Sequence, residues 1–153
     1  MNGSKARLPP RWFMRTAWSV HRGIYRASGG RLGLSLPKGE RYGTLCLTVV
    51  GRRTGQPRSV ILGYFDDGPN LVTMAMNGWD DPEPAWWLNL LANPDAEVEL
   101  ADGKRSVRGR AATDEERTRL WTRWAEIDKN LDAYAARRSR PTAVVVLEPR
   151  QPQ

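Results

Sequence analysis

Three arginines stand close together in a short Gly-bounded segment, GRRTGQPR, at residues 51–58. Arg52, Arg53 and Arg58 surround Gly55 between two predicted strands. A guanidinium can donate two parallel hydrogen bonds to a phosphate or carboxylate, and glycine lets backbone N–H groups approach an anion. The segment lacks the Gly-Lys-Ser/Thr ending of a P-loop, and no strand leads into a Gly-x-Gly-x-x-Gly turn. The spacing therefore predicts an anion-binding turn, with a solvated hairpin tip as the alternative.

A second candidate region is the tryptophan-rich segment at residues 74–94, MAMNGWDDPEPAWWLNLLANP. Its apolar residues predict a short and largely buried helix, so Trp87 is expected in the core. Buried amides and indoles need hydrogen-bond partners, and a planar heterocycle could supply them to Trp86, Asn77 and Asn89. The segment therefore indicates a site for a flat ring.

Few other residues are suited to catalysis or metal binding. The chain has one histidine, His21, and one cysteine, Cys46, which excludes an internal disulfide and the usual Cys/His zinc sites, so no metal is expected. His21 alone would have to serve any Ser–His–Asp triad, and Cys46 is expected to pack inside a barrel. The remaining candidates are acidic residues in turns, where solvation is the simpler interpretation; they are Asp66, Asp67, Asp80, Asp81 and Glu83.

The composition is typical of one globular domain. The 153 residues are 40% hydrophobic and 27% charged, and no apolar run reaches the roughly 18–20 residues of a membrane span. No secretory signal is visible at the N-terminus, and a single cysteine suits a reducing compartment, so a cytoplasmic protein is expected. Twenty of the 24 basic residues are arginine and the formal net charge is +7. This charge predicts an anionic partner of fixed geometry, although a GC-rich genome would raise the arginine count as well.

Periodicity and turn residues place these side chains on a mainly β fold. Asp102-Gly103 predicts a hairpin, and Thr113 with Glu116 matches a capping box. Strands about ten residues apart with few long helices favour a small, mainly antiparallel β-barrel or roll with helices at its edges. Strands are predicted at 44–50, 59–65, 71–76, 96–100, 105–111 and 143–147, helices at 11–26, 85–93, 113–127 and 131–138, and a Gly-rich loop at 27–43.

The first predicted helix is amphipathic. Its apolar residues recur at spacings of three and four, and its arginines fall within about 60° of one another on the opposite face. Cationic amphipathic helices with flanking aromatics lie on anionic membranes, so peripheral contact with the inner face of the cell membrane is one interpretation, and packing on the barrel is the other. The apolar face holds Phe13, Ala17, Val20 and Ile24, the cationic face Arg11, Arg15, Arg22 and Arg26, and the flanks Trp18 and Tyr25.

Three sequence blocks carry a resemblance to a known family. They are LTVVGRRTGQPR at 47–58, NG at 77–78 with PAWWLNLLANP at 84–94, and VVVLEP at 144–149. With these blocks in this order and spacing, the chain resembles the deazaflavin-dependent nitroreductase and F420H2-dependent quinone reductase family over about residues 44–149. The resemblance implies an α+β, mainly β fold: a single-domain split β-barrel of the flavin-reductase or FMN-binding type at residues 41–150. Residues 1–40, with the basic helix and the Gly-rich loop, would precede it.

The resemblance also implies a cofactor and its contacts. Members of the family use reduced coenzyme F420 as a hydride donor, and their arginine turn holds its polyanionic tail. The implied tail-binding residues are Arg52, Arg53, Thr54 and Arg58; Ser59, Val60, Ile61, Leu62 and Gly63 run beneath the cofactor; and Met74, Ala75, Met76, Asn77, Ala85, Trp86, Trp87, Leu88 and Asn89 bracket the deazaflavin ring.

The chain departs from the family where the substrate binds. The best-studied type of member has a serine at the position of Met76 and several tyrosines near the active site. Of those tyrosines this sequence keeps Tyr134, with Asp128 and Leu131 at other positions. The resemblance therefore implies hydride transfer to an electron-poor quinone, activated enone or nitro compound, with bulky nitroaromatics disfavoured. Tyr134 is the candidate catalytic residue, as a hydrogen-bond or proton donor, with packing against the barrel as its alternative role.

Two other classes of function stay open from the sequence. An FMN-dependent reductase on the same fold is the nearer alternative to an F420 enzyme. The second is a non-catalytic module that binds an anionic cofactor or nucleic acid. No nucleic-acid partner is expected, because the arginines divide between the first helix, the turn and the last helices rather than lining one groove. A small-molecule hydride acceptor is the expected partner, and a monomer or small homo-oligomer the expected state.

Overall fold

Six strands form a closed antiparallel barrel in the order β1-β2-β3-β6-β5-β4, with β4 paired back to β1. The structure is a computed structural model that describes residues 34–39 and 41–151. It confirms the predicted fold class, a mainly antiparallel barrel with helices outside it. The strands are β1 (Gly43–Val50), β2 (Pro57–Asp67), β3 (Asn70–Met74), β4 (Asp95–Leu100), β5 (Gly103–Ala111) and β6 (Val144–Pro149), and the helices are α1 (Ala85–Ala92), α2 (Asp114–Ile127) and α3 (Leu131–Ala135).

Strand alternation fills the barrel with apolar side chains. Leu45, Leu47 and Val49 of β1 point inward and are at most 1% exposed, and every other strand adds residues to the same interior cluster. Successive side chains of a strand point to opposite faces. Cys46 therefore lies on the outer face, where it is buried, and the expectation that it packs inside the barrel is wrong.

The two ends of the barrel are closed in different ways. At the lower end, two-residue turns at 68–69 and 101–102 join β2 to β3 and β4 to β5. At the upper end, the longer turn at 51–56 joins β1 to β2. There α1 closes the barrel by contributing Trp87 and Leu90 to the interior cluster. The candidate arginines and the tryptophan-rich segment are thus at the same end.

The sequence around α1 sets its length and its position. Pro84 is the N-cap residue, and Pro94 follows Asn93, the C-cap residue. A proline just past the end of a helix cannot continue it. Gly109 of β5 faces the helix, since a Cβ atom there would overlap the Leu90 side chain. The helix therefore packs closely against the barrel.

Helix α2 covers the outer face of β2, β3 and β6. Leu120 and Trp124 are buried there in a second apolar cluster with Phe65 and residues of β3 and β6. The helix is also joined to the lower end, because Arg119 donates two hydrogen bonds of 2.9 Å to the Asp67 carboxylate. This second cluster packs the helical layer against the outside of the barrel.

The capping box predicted at the start of α2 does not form. Thr113 is the N-cap residue, but its side chain makes no capping hydrogen bond. The Glu116 carboxylate accepts instead from Arg110 of β5 at 2.6 and 2.9 Å, and Arg110 also donates to Glu148 at 2.6 Å. A nearby guanidinium binds a carboxylate more strongly than a backbone N–H does, so the acidic residue joins the helix to the barrel.

Several element boundaries differ from the predicted ones. Pairing of Val50 with Pro57 places residues 57–58 in β2, so the predicted turn at 51–58 is reduced to 51–56. The last strand continues to Pro149, and α3 ends at Ala135 rather than at 138. The predicted helix at 11–26 lies outside the described residues. In the described part of the chain, no helix has the length and apolar character needed to cross a membrane.

Candidate functional site

The turn at 51–56 is held by its own backbone. Gly51 N–H donates to the Gln56 carbonyl at 2.8 Å, and Gly55 N–H donates to the Gly51 carbonyl at 2.8 Å. Gly55 has φ +73°, a conformation that favours glycine. The Thr54 hydroxyl accepts from Gln56 N–H at 3.2 Å. The turn therefore presents its arginines from a defined backbone.

One arginine joins this turn to α1. The Arg52 backbone N–H and its Nη1 both donate to Asn89 Oδ1, at 3.1 and 2.9 Å. Asn89 is 6% exposed, so its buried carbonyl needs such partners. A bound ring was predicted to partner this amide, but Arg52 of the same chain does so instead. Arg52 and Asn89 fix the turn relative to the helix.

Two arginines at the upper end remain available for an anion. Arg53 and Arg58 are exposed, and within the described residues neither forms an ion pair. Beside them on the outer face of the barrel, the Thr48 and Ser59 hydroxyls lie 2.8 Å apart. Fork-shaped cationic donors without an acidic partner suit a multiply charged anion.

The predicted contact strand at 59–63 divides between two faces. Val60 and Leu62 pack on the interior cluster, whereas Ser59 and Ile61 point to the outer face because strand side chains alternate. The Gly63 carbonyl accepts from a threonine hydroxyl of β3 at 2.7 Å. Of these five residues, only Ser59 exposes a side chain on the outer face, because Ile61 is buried there.

Residues 74–77 leave β3 at the upper end with different environments. Met74 is buried in the outer cluster and Ala75 in the interior cluster, while Met76 is half-buried beside the outer cluster. The Asn77 Nδ2 donates to the Pro82 carbonyl at 3.2 Å. Met76 and Asn77 are therefore the two residues of this segment with exposed side-chain surface.

On α1, the predicted ring-contact residues serve mainly as core. Trp86 and Trp87 pack edge to face with centroids 6.2 Å apart and belong to the interior cluster. Ala85 is exposed and Leu88 half-buried. The interior cluster that receives both tryptophans also receives Ala75. The structure thus brings the turn, the end of β3 and α1 together at the upper end of the barrel.

Tyr134 lies on α3, next to the loop that precedes α1. Its ring is half-buried and stacks on Trp79, with centroids 6.0 Å apart and planes at 29°. Leu131 is fully buried in the outer cluster, and the Asp128 carboxylate accepts from Asn130 N–H at 3.1 Å. A hydrophobic residue and an acidic helix cap thus occupy positions where the resemblance implies tyrosines.

Arg138 was not among the residues predicted from the sequence. Its side chain is fully buried and pairs with Glu83 at 2.6 Å. The sequence RRSR at 137–140 offers no signal that separates this arginine from its neighbours. Its partners in the loop before α1 lie 55 or more positions away, so only the fold reveals these contacts.

A closed six-stranded antiparallel barrel with helices outside it is the fold of the split-barrel flavin- and F420-binding reductases. The family model for F420H(2)-dependent quinone reductases matches residues 17–149. The chain therefore belongs to the F420H(2)-dependent quinone reductase family. This membership confirms the expected enzyme class, an F420H2-dependent oxidoreductase, and F420 as its hydride donor.

Individual relatives agree with this family. An F420H(2)-dependent quinone reductase of Mycobacterium tuberculosis is 36% identical over 131 residues, covering 84% of this chain and 87% of that protein. A solved F420-H2 dependent reductase has a TM-score of 0.63 at 25% identity, covering 69% of this chain and 93% of its own. A structure described as a domain-swapped dimer, with a TM-score of 0.65, 23% identity and coverage of 88% and 99%, shows the fold alone.

The residues at the upper end fit this cofactor. F420 carries a phosphate and an oligoglutamate tail, and Arg53 and Arg58 offer exposed guanidinium groups that no described carboxylate neutralises. At the end of β3, Met76 and Asn77 leave side-chain surface that a planar ring can contact. The upper end thus offers cationic side chains to the anionic tail of the cofactor, and one apolar and one polar side chain to its flat ring.

Proposed function

We propose that this chain reduces a quinone-type acceptor, with F420 held across the upper end of the barrel by the arginine turn, residues 74–77 and α1. When bound, F420 supplies the hydride. The protein contributes position and electrostatics, since it needs no nucleophile for this chemistry. The acceptor class rests on the family and on the lack of a hydroxyl at Met76.

The observation that carries this proposal is the pair of unneutralised arginines. Arg53 and Arg58 are exposed and have no described acidic partner, while Arg52 is used to fix the turn. Charge-assisted hydrogen bonds from two guanidinium groups hold a polyanionic tail strongly. Anchoring through the tail leaves the ring free to meet an acceptor.

Acceptor choice depends on the donors near the ring. Met76 is a thioether, which accepts hydrogen bonds weakly and cannot donate them. Leu131 is buried and Asp128 is acidic, so neither supplies a hydroxyl to a nitro group. We infer that a quinone or activated enone, whose oxygen gains charge as the hydride arrives, is preferred over a bulky nitroaromatic.

Tyr134 is assigned as the donor to that oxygen. Its ring is held by stacking on Trp79, and its half-buried position leaves part of the side chain accessible. A positioned phenol can donate a hydrogen bond or proton where charge develops. Tyr134→Phe keeps the stacking, so it should lower kcat with menadione while leaving the Kd for F420 unchanged. An unchanged kcat would assign Tyr134 to packing alone.

Turnover tests the function. Reduced F420 and menadione are mixed with the wild-type protein, and oxidation of the deazaflavin is followed by its absorbance and fluorescence. We expect catalysed oxidation that depends on both reactants and is weaker in Arg53→Ala at subsaturating cofactor. Arg105→Ala, at the lower end, is the matched control and should behave as wild type. Absence of catalysed oxidation at saturating cofactor would contradict the proposal.

We further propose that the predicted helix at 11–26, outside the described residues, docks on the inner face of the membrane. Its four arginines and its apolar face support this, since each cation near an anionic surface contributes about 1 kcal/mol. Sedimentation with anionic liposomes at low salt compares the whole chain with one beginning at Gly29. Only the whole chain should sediment; equal behaviour of the two would contradict docking.

A further inference from the structure

The loop at 77–84, which joins β3 to α1, has a strained turn. Gly78 has φ +59° and Trp79 has φ +63°. A positive φ is ordinary for glycine but a true outlier for a bulky residue. Such conformations cost of order 1–3 kcal/mol and persist only where the surroundings hold them. Other parts of the fold must therefore stabilise this loop.

Arg138 provides most of that support. Its Nε donates to the Asp80 carbonyl at 2.8 Å, and its Nη2 donates to the Asp81 carbonyl at 3.1 Å and to the Glu83 carboxylate at 2.6 Å. Nη1 donates to the Thr142 hydroxyl at 2.9 Å. A fully buried guanidinium is costly unless its donors are satisfied. Here all three guanidinium nitrogens have hydrogen-bond partners, and three of the four acceptors belong to this loop.

Two other contacts join the same loop to the segment around α3. Ser139 N–H donates to the Asp81 carboxylate at 2.6 Å, which lowers the pKa of that carboxyl. The Trp79 ring stacks on Tyr134. Within the loop, Asp80 N–H donates to the Asn77 carbonyl at 3.1 Å. The strained turn is thus held on both sides, and its first residue is part of the candidate site.

We propose that Arg138 is the positioning residue for the deazaflavin ring: it holds loop 77–84 in the strained conformation that sets Asn77 and the start of α1 at the upper end of the barrel. This inference rests on the proposed function. Arg138 has no access to the ring, since its side chain is fully buried, so it acts through the loop. The fork geometry matters, because a lysine could not reach four acceptors at once.

Arg110 offers a matched control. It also binds two carboxylates with short hydrogen bonds, Glu116 and Glu148, and joins an element to the barrel. Its contacts secure α2 rather than the loop. Arg110→Lys removes a network of similar size from a side chain that is 39% exposed, whereas the Arg138 side chain is fully buried. The Tm of both variants is therefore measured, so that a general loss of stability is separated from a loss of the loop contact. Glu83→Gln is a milder second variant that removes only one charged partner of Arg138.

The test compares loop protection with ring binding. Hydrogen exchange of the amides at 77–84 is measured in the free protein. Kd values are measured for intact F420 and for its deazaflavin nucleoside, which lacks the phosphate and glutamates. In Arg138→Lys, and less so in Glu83→Gln, we expect faster exchange in the loop and about tenfold weaker binding of both ligands. Arg110→Lys should leave loop exchange and both Kd values unchanged.

Each other outcome has its own meaning. Unchanged exchange at 77–84 in Arg138→Lys would show that Arg138 does not hold the loop. Faster exchange with unchanged binding of the nucleoside overturns the positioning role. An equal loss of ring binding in Arg110→Lys would show that the weaker binding in Arg138→Lys comes from lower stability, and it would overturn the positioning role. If wild-type protein binds neither ligand, both the proposed function and the positioning role fail. The exchange data then show separately whether Arg138 supports the loop.

Discussion

Two arginines at each end of the barrel differ in whether they have an acidic partner. At the lower end, Arg119 binds Asp67 through two hydrogen bonds, and Arg105 lies 3.5 Å from Asp102. At the upper end, Arg53 and Arg58 are exposed, and in the described part of the chain they have no acidic partner. The lower end is closed by two-residue turns, while the upper end uses a longer turn, a strained loop and a helix. Two exposed arginines without a described acidic partner, together with a strained loop, are the features of the upper end on which the proposed site rests.

Removing the upper-end cations should have the largest effect. Arg53→Ala and Arg58→Ala should each weaken F420 binding by about 1.5–3 kcal/mol, the loss of a hydrogen bond to a charged group. That is about tenfold or more in Kd. Binding is measured by fluorescence quenching of the cofactor at low salt.

The lower end supplies the control for this prediction. Arg105→Ala removes a cation of the same type at the other end of the barrel and should leave the Kd unchanged. Salt should weaken wild-type binding in the same direction as the upper-end substitutions, because it screens exposed charges. Equal affinities of Arg53→Ala, Arg58→Ala and wild type at low salt would show that both ends are ordinary surface.

A hydroxyl introduced near the ring should change acceptor preference by a smaller factor. Met76→Ser adds a donor that a nitro oxygen can accept from, worth about 1 kcal/mol, or about fivefold. Wild-type protein should reduce menadione faster than a bicyclic nitroimidazole at equal cofactor saturation, and the variant should narrow that ratio. A faster nitro reaction in wild type would contradict this account of the pocket.

Acid should weaken the ion pair of the lower end. The Arg119 guanidinium lowers the pKa of Asp67 below its ordinary 3.8. The stabilisation is therefore complete above pH 3.8 and is lost as the pH falls through the lower pKa of the folded state. Exposed pairs of this kind contribute little to stability. Thermal unfolding between pH 2 and 7 should show a small Tm deficit for Asp67→Asn that disappears at the acid end; a constant deficit would contradict the ion pair.

The smallest effect concerns a phenol inside the barrel. The Tyr64 hydroxyl is buried without a hydrogen-bond partner among the described residues, and burial, reinforced by Asp66 and Asp102, raises its pKa to about 12. Since an unsatisfied buried polar group is unfavourable, Tyr64→Phe should be neutral or stabilising by at most about 1 kcal/mol. The unfolded chain releases this proton near pH 10, so the unfolding free energy of the wild type should fall as the pH rises from 10 to about 12, and that of Tyr64→Phe should not show this fall. Clear destabilisation of the variant at pH 7 would show that the hydroxyl has a partner.

Local sequence patterns predicted the strands better than their arrangement. Alternation of apolar residues at 44–50 identified β1, and Asp102-Gly103 identified the β4–β5 hairpin to within one residue. Closure of the barrel depends on the pairings of β1 with β4 and β3 with β6. These join strands far apart in the chain, so periodicity alone left a barrel and a roll as alternatives, and the family resemblance implied the barrel.

At the site, competition between side chains limited the prediction. Glu116 matched a capping box, but Arg110, brought near by the fold, binds its carboxylate. The Asn89 side chain was predicted to bond to a ligand, but Arg52 donates a hydrogen bond to it. Arg138 resembles its neighbours in the sequence and differs from them only by its burial. Residue types predicted which groups could bind, and the fold decided which of them are already used.

The most direct test of the account is a set of parallel titrations of the wild-type protein with F420, FMN and a single-stranded oligonucleotide at low salt. Fluorescence quenching of each flavin-like ligand and anisotropy of a labelled oligonucleotide report binding. We expect tight binding of F420 that is weakened at least tenfold by Arg53→Ala and unaffected by Arg105→Ala. We expect no binding of FMN or of the oligonucleotide. An F420 site at the upper end of the barrel would be contradicted by tighter binding of FMN or of the oligonucleotide than of F420. It would also be contradicted if Arg53→Ala and Arg105→Ala weakened F420 binding equally.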